Sequence, residues 1–481
     1  MGIKRCALLL VMIGLIPLSV RATPGRDRSD ERAVTDASGR RMDEAGITVT
    51  QRQIETDALS LHEIQQQGLL VFSVQFNAAD GYGDGPEDSS DLLKMGGRTT
   101  LQGNGTFLRV HGLDGQSCLE CHSILSNAST PPVFGIGGVG GSASNALVSG
   151  GGMDATAPQA DFVGRFINPP FLFGAGRVQL LGNEMTADLQ ALKRVARANP
   201  GRPVKLRTKG VDFGVLRFEN GAYDYSEIEG IDRDLVVRPF GRKGEFPTIR
   251  SFDLAALQFH FGMQPSEVVG ANIDEDRDGV APEIAPGPIS ALEVFIATLP
   301  PPEQTGTDRE DVKDGRDHFA NFGCADCHRP SLRTNGSILG LRFPEVEQDP
   351  SKNVFYEVPV GDRREDNDSD SDKATARNVP LFADLKRHDM GPALAENFHA
   401  DFDRFFTTAR LWGVADTAPY MHDGRALTLD AAIRMHAGEA QKASRRYTKA
   451  NREKQTELIL FLKSLRTPVQ AVNAHTDNLL R

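Results

Sequence analysis

A chain of 481 residues, 39% hydrophobic and 25% charged, has the make-up of an ordinary globular protein, and its length suggests about two or three domains. The formal net charge of −11 disfavours nucleic acid and anionic lipid as partners and would steer a cationic one towards the surface.

In chain order, the first feature is an apolar stretch from Cys6 to Val20, preceded by Lys4 and Arg5 and followed by Arg21-Ala22. This reads as a secretory signal peptide, residues 1–22, cut after Ala22 and too short for a comfortable membrane span. Its loss would make the chain more acidic still. Residues 23–60 are polar and nearly without apolar periodicity, so a linker or loosely attached arm is expected there.

After a glycine-punctuated stretch comes Cys118-Leu-Glu-Cys121-His122, and the same pattern returns as Cys324-Ala-Asp-Cys327-His328. Two cysteines at this spacing can each form a thioether to a haem vinyl group, and the adjacent histidine then sits beneath the iron. The two copies take four of the five cysteines, and the fifth, Cys6, falls in the leader. Zinc would need thiolates to converge from distant parts of the chain, and a redox-active pair does not explain a histidine after both motifs. Two covalently bound haem c groups are expected, with His122 and His328 as proximal ligands. Such attachment occurs on the exported side of bacterial membranes, so the leader and the motifs agree on a periplasmic location.

Val133 to Ser142 is glycine-rich, but no alternating strand precedes it and no capped helix follows, which argues against a dinucleotide loop. Helices are predicted over 186–195 and 251–262, the second carrying His260 and leading to Met263. Asp274, Asp276 and Asp278 followed by Gly279 match the opening of an EF-hand-type calcium loop. Position twelve is Ala285, so Glu283 or Glu293 would have to complete the shell. A helix over 289–299 ends at Pro300-Pro-Pro302. There the N-terminal haem domain (61–302) gives way to a C-terminal one (303–481). In the latter, a helix over 311–321 enters the haem motif and another over 453–465 packs across it, the arrangement of a class I cytochrome c. The predicted fold is mainly α: two such haem domains with long loop insertions, including an exposed Asp/Ser-rich loop over 361–376.

The second haem's sixth ligand is addressed by a helix that Thr428 can cap. Leu429, Ile433 and His436 share one face of it, whereas Met435 points elsewhere. His422 could orient a propionate, and His388 or Met390 could compete as ligands. For the first haem, His111, His260, Met263, His388 and Met390 all stay open.

Ala418-Pro-Tyr-Met-His-Asp-Gly424, with Thr428-Leu429 and Ala431-Ala432-Ile433, resembles the C-terminal domain of bacterial di-haem cytochrome c peroxidases and of the related methylamine-utilisation enzyme. Gly323 to Pro330, Leu385 to Gly391, Leu411-Trp-Gly413 and His436 to Ala440 look like the periplasmic di-haem oxidoreductases described as thiol oxidoreductases. In the peroxidases the position matching His436 holds the distal ligand of the electron-transferring haem, commonly methionine. The resemblance implies that the N-terminal haem meets peroxide or substrate, with Gln179 and Glu184 roughly where the peroxidases keep distal acid/base groups. Thr407 stands where they have an arginine, which Arg410 could replace, and Trp412 could relay electrons. The expected function is an exported, peroxidase-like di-haem oxidoreductase. It would have one electron-transfer haem, one reactive haem, a small redox protein as partner and a small oxidant such as peroxide. The alternative is a non-enzymatic electron-transfer cytochrome.

Overall fold

Capping boxes start the first two helices. Thr50 pairs with Gln53 ahead of α1 (Gln51–Glu55), and Ser60 pairs with Glu63 ahead of α2 (Leu61–Ser73). The computed structural model describes residues 42–83, 108–109, 115–122, 146–148, 163–164, 169, 172–360, 376–395 and 403–468. The leader at 1–22, His111, the glycine run 133–142 and nearly all of the 361–376 loop lie outside the described residues. Ile47, Val49 and Ile54 are buried beside Ile64 and Phe72. From Met42 onward, then, the expected loose arm is part of a packed core.

α3 (Ala175–Ala198) is longer than the expected 186–195, because its first two turns are buried against neighbours distant in sequence. Three antiparallel strands, Val204–Thr208, Val211–Glu219 and Ala222–Ile228, follow as a meander that was not expected. Leu206, Val211, Phe213 and Leu216 turn inward from it. α4 (Ile249–Phe261), α5 (Ser266–Val269) and α6 (Pro286–Ala297) complete the first half. The second half holds α7 (Glu310–Phe322), α8 (Leu429–Met435), α9 (Gln441–Lys449) and α10 (Arg452–Ser464), joined by short two-stranded sheets.

The two halves repeat one device. α2 crosses α6 at Gly68, where an added Cβ would lie 2.0 Å from the Ala291 carbonyl oxygen and 2.6 Å from Phe295 Cβ. α7 crosses α10 at Gly315, where it would lie 2.1 Å from the Glu457 oxygen and 2.7 Å from Phe461 Cβ. In each case the helix ahead of a C-x-x-C-H motif meets the last helix of its half through a glycine, with a phenylalanine one turn beyond the touching carbonyl. Only a residue without a side chain allows backbones to approach so closely.

Two apolar cores result. The first takes residues from Ile47 to Leu299, and the second is built from Val312, Phe319, Phe322, Phe382, Val414, Leu429, Tyr447, Leu458, Phe461, Leu462 and Leu465. Leu332, Leu339, Leu341, Val358 and Leu381 lie beyond the expected boundary at 302 yet pack into the first core. The boundary along the chain is therefore not a boundary in packing, and the segment after the second motif fastens the halves together.

Candidate functional site

Both C-x-x-C-H motifs take the same shape. Cys118–Glu120 and Cys324–Asp326 each form a single 3-10 turn. The His122 N–H donates to the Cys118 oxygen at 2.8 Å, and the His328 N–H to the Cys324 oxygen at 2.9 Å. No disulfide joins the four cysteines. Cys118 packs against the first core and Cys324 against the second. Burial pushes the Cys324 thiol up to about 12, the opposite of the depressed value of a redox-active pair.

His328 and His436 face each other with ring centroids 6.3 Å apart. His436 caps α8, whose Thr428 side chain accepts from the Ala431 N–H. Leu429 is buried, whereas Met435 is 36% exposed, as the helical periodicity predicts. Nδ1 of His328 lies 3.1 Å from the Phe382 carbonyl oxygen, and Nδ1 of His436 lies 2.8 Å from that of Ala432. With Nδ1 taken in each ring, Nε2 is the nitrogen each can offer to a metal, the usual way a protein fixes a ligating imidazole. Burial, together with the neighbouring His436, lowers the His328 pKa to about 4, and burial lowers that of His436 as well. Two neutral imidazoles spaced like this could hold one metal ion between them. Metal–nitrogen bonds of about 2.0–2.1 Å on either side, plus the ring radii, give a separation of this order.

Residues 365–465 match the family model described as "Di-haem oxidoreductase, putative peroxidase". The stretch matching the di-haem oxidoreductases contains His388, Trp412, His422, His436 and Glu439, and it stops short of both C-x-x-C-H motifs. No curated protein matches the chain. Among solved structures the chain is similar to a hydrazine synthase of Kuenenia stuttgartiensis, at 16% identity over 51% of this chain and 73% of that one, TM-score 0.28. It is also similar to a MauG-like protein associated with microbial copper homeostasis, at 18% identity over 65% and 95%, TM-score 0.30. Superpositions this loose carry no weight for fold or activity.

Within the matched stretch, His388 turns out not to compete as a ligand. Its Nε2 meets Asp384 Oδ2 at 2.8 Å and its Nδ1 meets Glu439 Oε2 at 2.7 Å, so both nitrogens donate to carboxylates. Cys327, Asp384 and His388 offer ligand atoms within 4.8 Å of one another, but a doubly bonded imidazolium has no lone pair for a metal. Burial opposes the charge, yet the hydrogen bonds that His388 donates to Asp384 and Cys327 outweigh it and raise the pKa to about 11. The strand Arg387–Asp389 holding His388 pairs with Phe405–Thr407.

The His422 ring lies against that of Phe406, with centroids 4.5 Å apart, and Lys243 Nζ is 3.5 Å from the Phe406 centroid on its own account. Trp412 is buried in the first core, while its neighbours Leu411 and Val414 pack in the second. Its indole nitrogen has no hydrogen-bond partner among the described residues. Thr407 donates its backbone N–H to Arg242, and Arg410 donates to the Pro239 carbonyl oxygen at 3.1 Å beneath the ring of Phe240.

The two expected acid/base residues have other work in this conformation. Gln179 is fully buried, and its Oε1 accepts from the Ile249 N–H at 2.9 Å, capping the start of α4. Glu184 accepts twice from the Asn335 N–H at 2.9 Å and is ion-paired with Lys209 at 2.5 Å. The buried Gln179 Nε2 has no hydrogen-bond partner among the described residues. Met263 is wholly buried, its N–H bonded to the Leu257 oxygen at the end of α4, and the His260 ring stacks edge-on to Phe259.

The acidic loop folds much as its pattern implies. Asp274, Asp276 and Asp278 offer oxygens within 4.8 Å of one another, and Asp274 accepts from the N–H groups of Asp278 and Gly279. Glu293 does not complete that shell. It is fully buried beside Arg250, Nη1 to Oε2 at 3.4 Å, in a network that also holds Glu267 and Ser290. Glu283 Oε2 accepts from the Gln264 N–H at 2.6 Å, whose side-chain oxygen accepts from the Glu275 N–H. The Arg250 network was not expected from sequence, because its members are spread over α4, α5 and α6.

Proposed function

We propose that this chain is an exported di-haem c-type oxidoreductase of the peroxidase kind, with haem attached at Cys118 and Cys121 and at Cys324 and Cys327. His122 and His328 serve as proximal ligands, and His436 completes the second iron's coordination. The reading rests above all on His328 and His436: two half-buried imidazoles of lowered pKa, one of them in a C-x-x-C-H motif, face each other at 6.3 Å with Nδ1 held by backbone carbonyls. Haem bound there supplies one-electron chemistry between ferric and ferrous iron, at a potential set by its axial ligands and burial. The chain's part is to orient both rings through Phe382 and Ala432 and to exclude water with Phe319, Phe382 and Phe461. It also holds the His388 charge beside Cys327. Bis-histidine ligation suits the second site to electron transfer and leaves reaction with a small oxidant such as peroxide to the first.

The leader read at 1–22 and the chemistry of thioether formation support a periplasmic location. A calcium ion held by Asp274, Asp276 and Asp278 belongs to the same reading. Among the described residues, no helix is long and apolar enough to cross a membrane.

Expression in a host competent for haem attachment, followed by mass spectrometry of the mature chain, should give two haem adducts. Fewer than two would end the proposal. Electron paramagnetic resonance should then find one low-spin bis-histidine centre and, for a peroxidase, a second centre with a high-spin five-coordinate component that turns over peroxide. The structural engagement of Gln179 and Glu184 favours a second reading, a di-haem electron carrier without turnover. Two six-coordinate centres inert to peroxide would select it.

A further inference from the structure

The molecule is acidic overall, but α9 is not. Lys442, Arg445, Arg446 and Lys449 recur at intervals of three and four along one side of this helix, and no acid occurs between Gln441 and Lys449. Lys442, Arg445 and Lys449 are exposed and have no acidic partner among the described residues. Helix stability does not account for the pattern. Lys442 and Arg446, and again Arg445 and Lys449, are like-charge pairs one turn apart, which weaken a helix. Lys442 also puts a cation at the positive end of the helix dipole. Arg446 alone is tied down, donating to the carbonyls of Asn321 and Phe322 at the end of α7, just ahead of Cys324.

The stripe borders a cleft of about 510 Å³ that Arg445 and Lys449 line together with Met435, His436 and Ala437. Arg425 and Arg434 also reach it, but Asp423 and Asp430 neutralise them. The unpaired positive charge next to His436 is therefore that of α9. Lys442 and Arg446 lie outside the cleft, and the eight residues from Lys442 to Lys449 carry the stripe over roughly 10 Å. Exposed cations spread over that length suit a facing protein surface better than one small anion, which would need donors converging on a point.

We propose that this face is the docking surface for an acidic one-electron carrier protein. The inference rests on the reading of His436 as an iron ligand and reverses the expectation of a cationic partner drawn from net charge. An acidic carrier meets a chain of net negative charge and is attracted to this face, so the field favours one orientation as well as a faster encounter. In the docked pair the carrier loses one electron and the iron held by His328 and His436 gains it, with no proton or ligand exchanged. Electron-transfer encounters of this kind need only a small, weakly held interface.

The test uses the mature holoprotein and three probes, an acidic plant-type ferredoxin, a basic mitochondrial-type cytochrome c and inorganic phosphate. Binding is followed by titration and electron transfer by anaerobic stopped flow. Reduced ferredoxin should react fastest at low salt. The variant Lys442→Glu, Arg445→Glu, Lys449→Glu should lower its second-order rate constant at least ten-fold and weaken binding in parallel, and the corresponding glutamine variant should fall between. Circular dichroism and the haem spectrum check that both variants fold. Wild-type rates with ferredoxin in the glutamate variant, or faster reaction with cytochrome c than with ferredoxin in the unmodified protein, would overturn the docking surface. So would loss of phosphate binding with unchanged ferredoxin kinetics, which would make the stripe a small-anion site. Salt-sensitive ferredoxin binding without electron transfer would instead leave the surface standing and count against the iron ligation.

Discussion

The Glu439 carboxylate accepts from His388 Nδ1 at 2.7 Å through one oxygen and from the Asp389 backbone N–H at 2.8 Å through the other. Glu439 lies three residues after His436, and His388 in turn is bonded to Asp384, two residues after the Phe382 carbonyl that orients His328. One imidazolium thus braces the segments carrying both facing histidines. Gly438 sits so close to this strand that a Cβ would come 2.1 Å from the Asp389 oxygen.

Replacing His388 by alanine leaves buried Asp384 short of a partner and should cost on the order of 2–3 kcal/mol. A histidine whose folded pKa is raised above its unfolded 6.5, as Asp384 raises that of His388, stabilises the fold fully below about pH 6.5 and loses that contribution as pH rises through the folded value. The difference in thermal midpoint between the native protein and His388→Gln should therefore be widest below pH 6.5 and shrink steadily above it. A difference that grows with pH would mean that His388 is neutral in the fold.

The repeated helix crossing makes a sharper demand. Gly68→Ala and Gly315→Ala each drive a methyl group into a backbone carbonyl, and the helices can relieve this only by separating. Each should lose about 1–3 kcal/mol or more. Gly210, at φ +83° with nothing within 4 Å of a would-be Cβ, is the comparison: alanine there should cost only about 1 kcal/mol of backbone strain. Chemical denaturation of the three variants checks the order.

Much of the C-terminal half is legible from sequence because its signals are local. The face carrying Leu429 and His436, the entry helix before Cys324 and the closing helix near Leu458 are all set by spacing within a few turns. What escapes is set by partners far along the chain. Gln179 meets Ile249 and Glu184 meets Asn335, partners that the family resemblance placing them near a distal site does not reveal. Glu293 is one of two carboxylates that sequence offers to the calcium loop, but Arg250 claims it from 43 residues away. The packing of Ile47 and Ile54 and the strands from Val204 to Ile228 did leave local signals, the Thr50–Gln53 capping pair and the alternation of Leu206, Val211 and Phe213. High polarity around the first masked the one, and the register shifts in both strand pairings blurred the other.

Arg250 is buried with Glu267 at 2.9 Å and Glu293 at 3.4 Å. Burial raises the Glu293 pKa to about 7 even with Arg250 beside it, so this carboxyl favours the fold below about pH 4.5 and loses that contribution as pH rises through 7. Arg250→Met strands both carboxylates and should cost about 3–5 kcal/mol at pH 8. The deficit should narrow at pH 5, where the stranded groups take up protons. Urea titrations at the two pH values measure it, and an equal deficit at both would show that the loss is one of packing alone.

For the acidic loop, calcium bound only to the folded chain should raise stability by about 2.7 kcal/mol at a hundred times its Kd. Asp276, the fully buried member of the three, is the residue to change. Asp276→Asn should abolish the difference in thermal midpoint between calcium and chelator. Identical midpoints in the native protein would remove calcium from the account.

His436→Met tests the second iron site most directly. Methionine in place of a second histidine raises the potential of a c-type haem, so potentiometric titration should show one of two midpoints moving upward while the other stays. The substitution also deletes the Nδ1 bond to the Ala432 carbonyl oxygen that sets the ring's orientation. A longer, more flexible side chain will ligate less firmly, and added imidazole should therefore bind the variant and restore the low potential. Two unmoved midpoints, or a variant that ignores imidazole, would place the sixth ligand elsewhere in the chain.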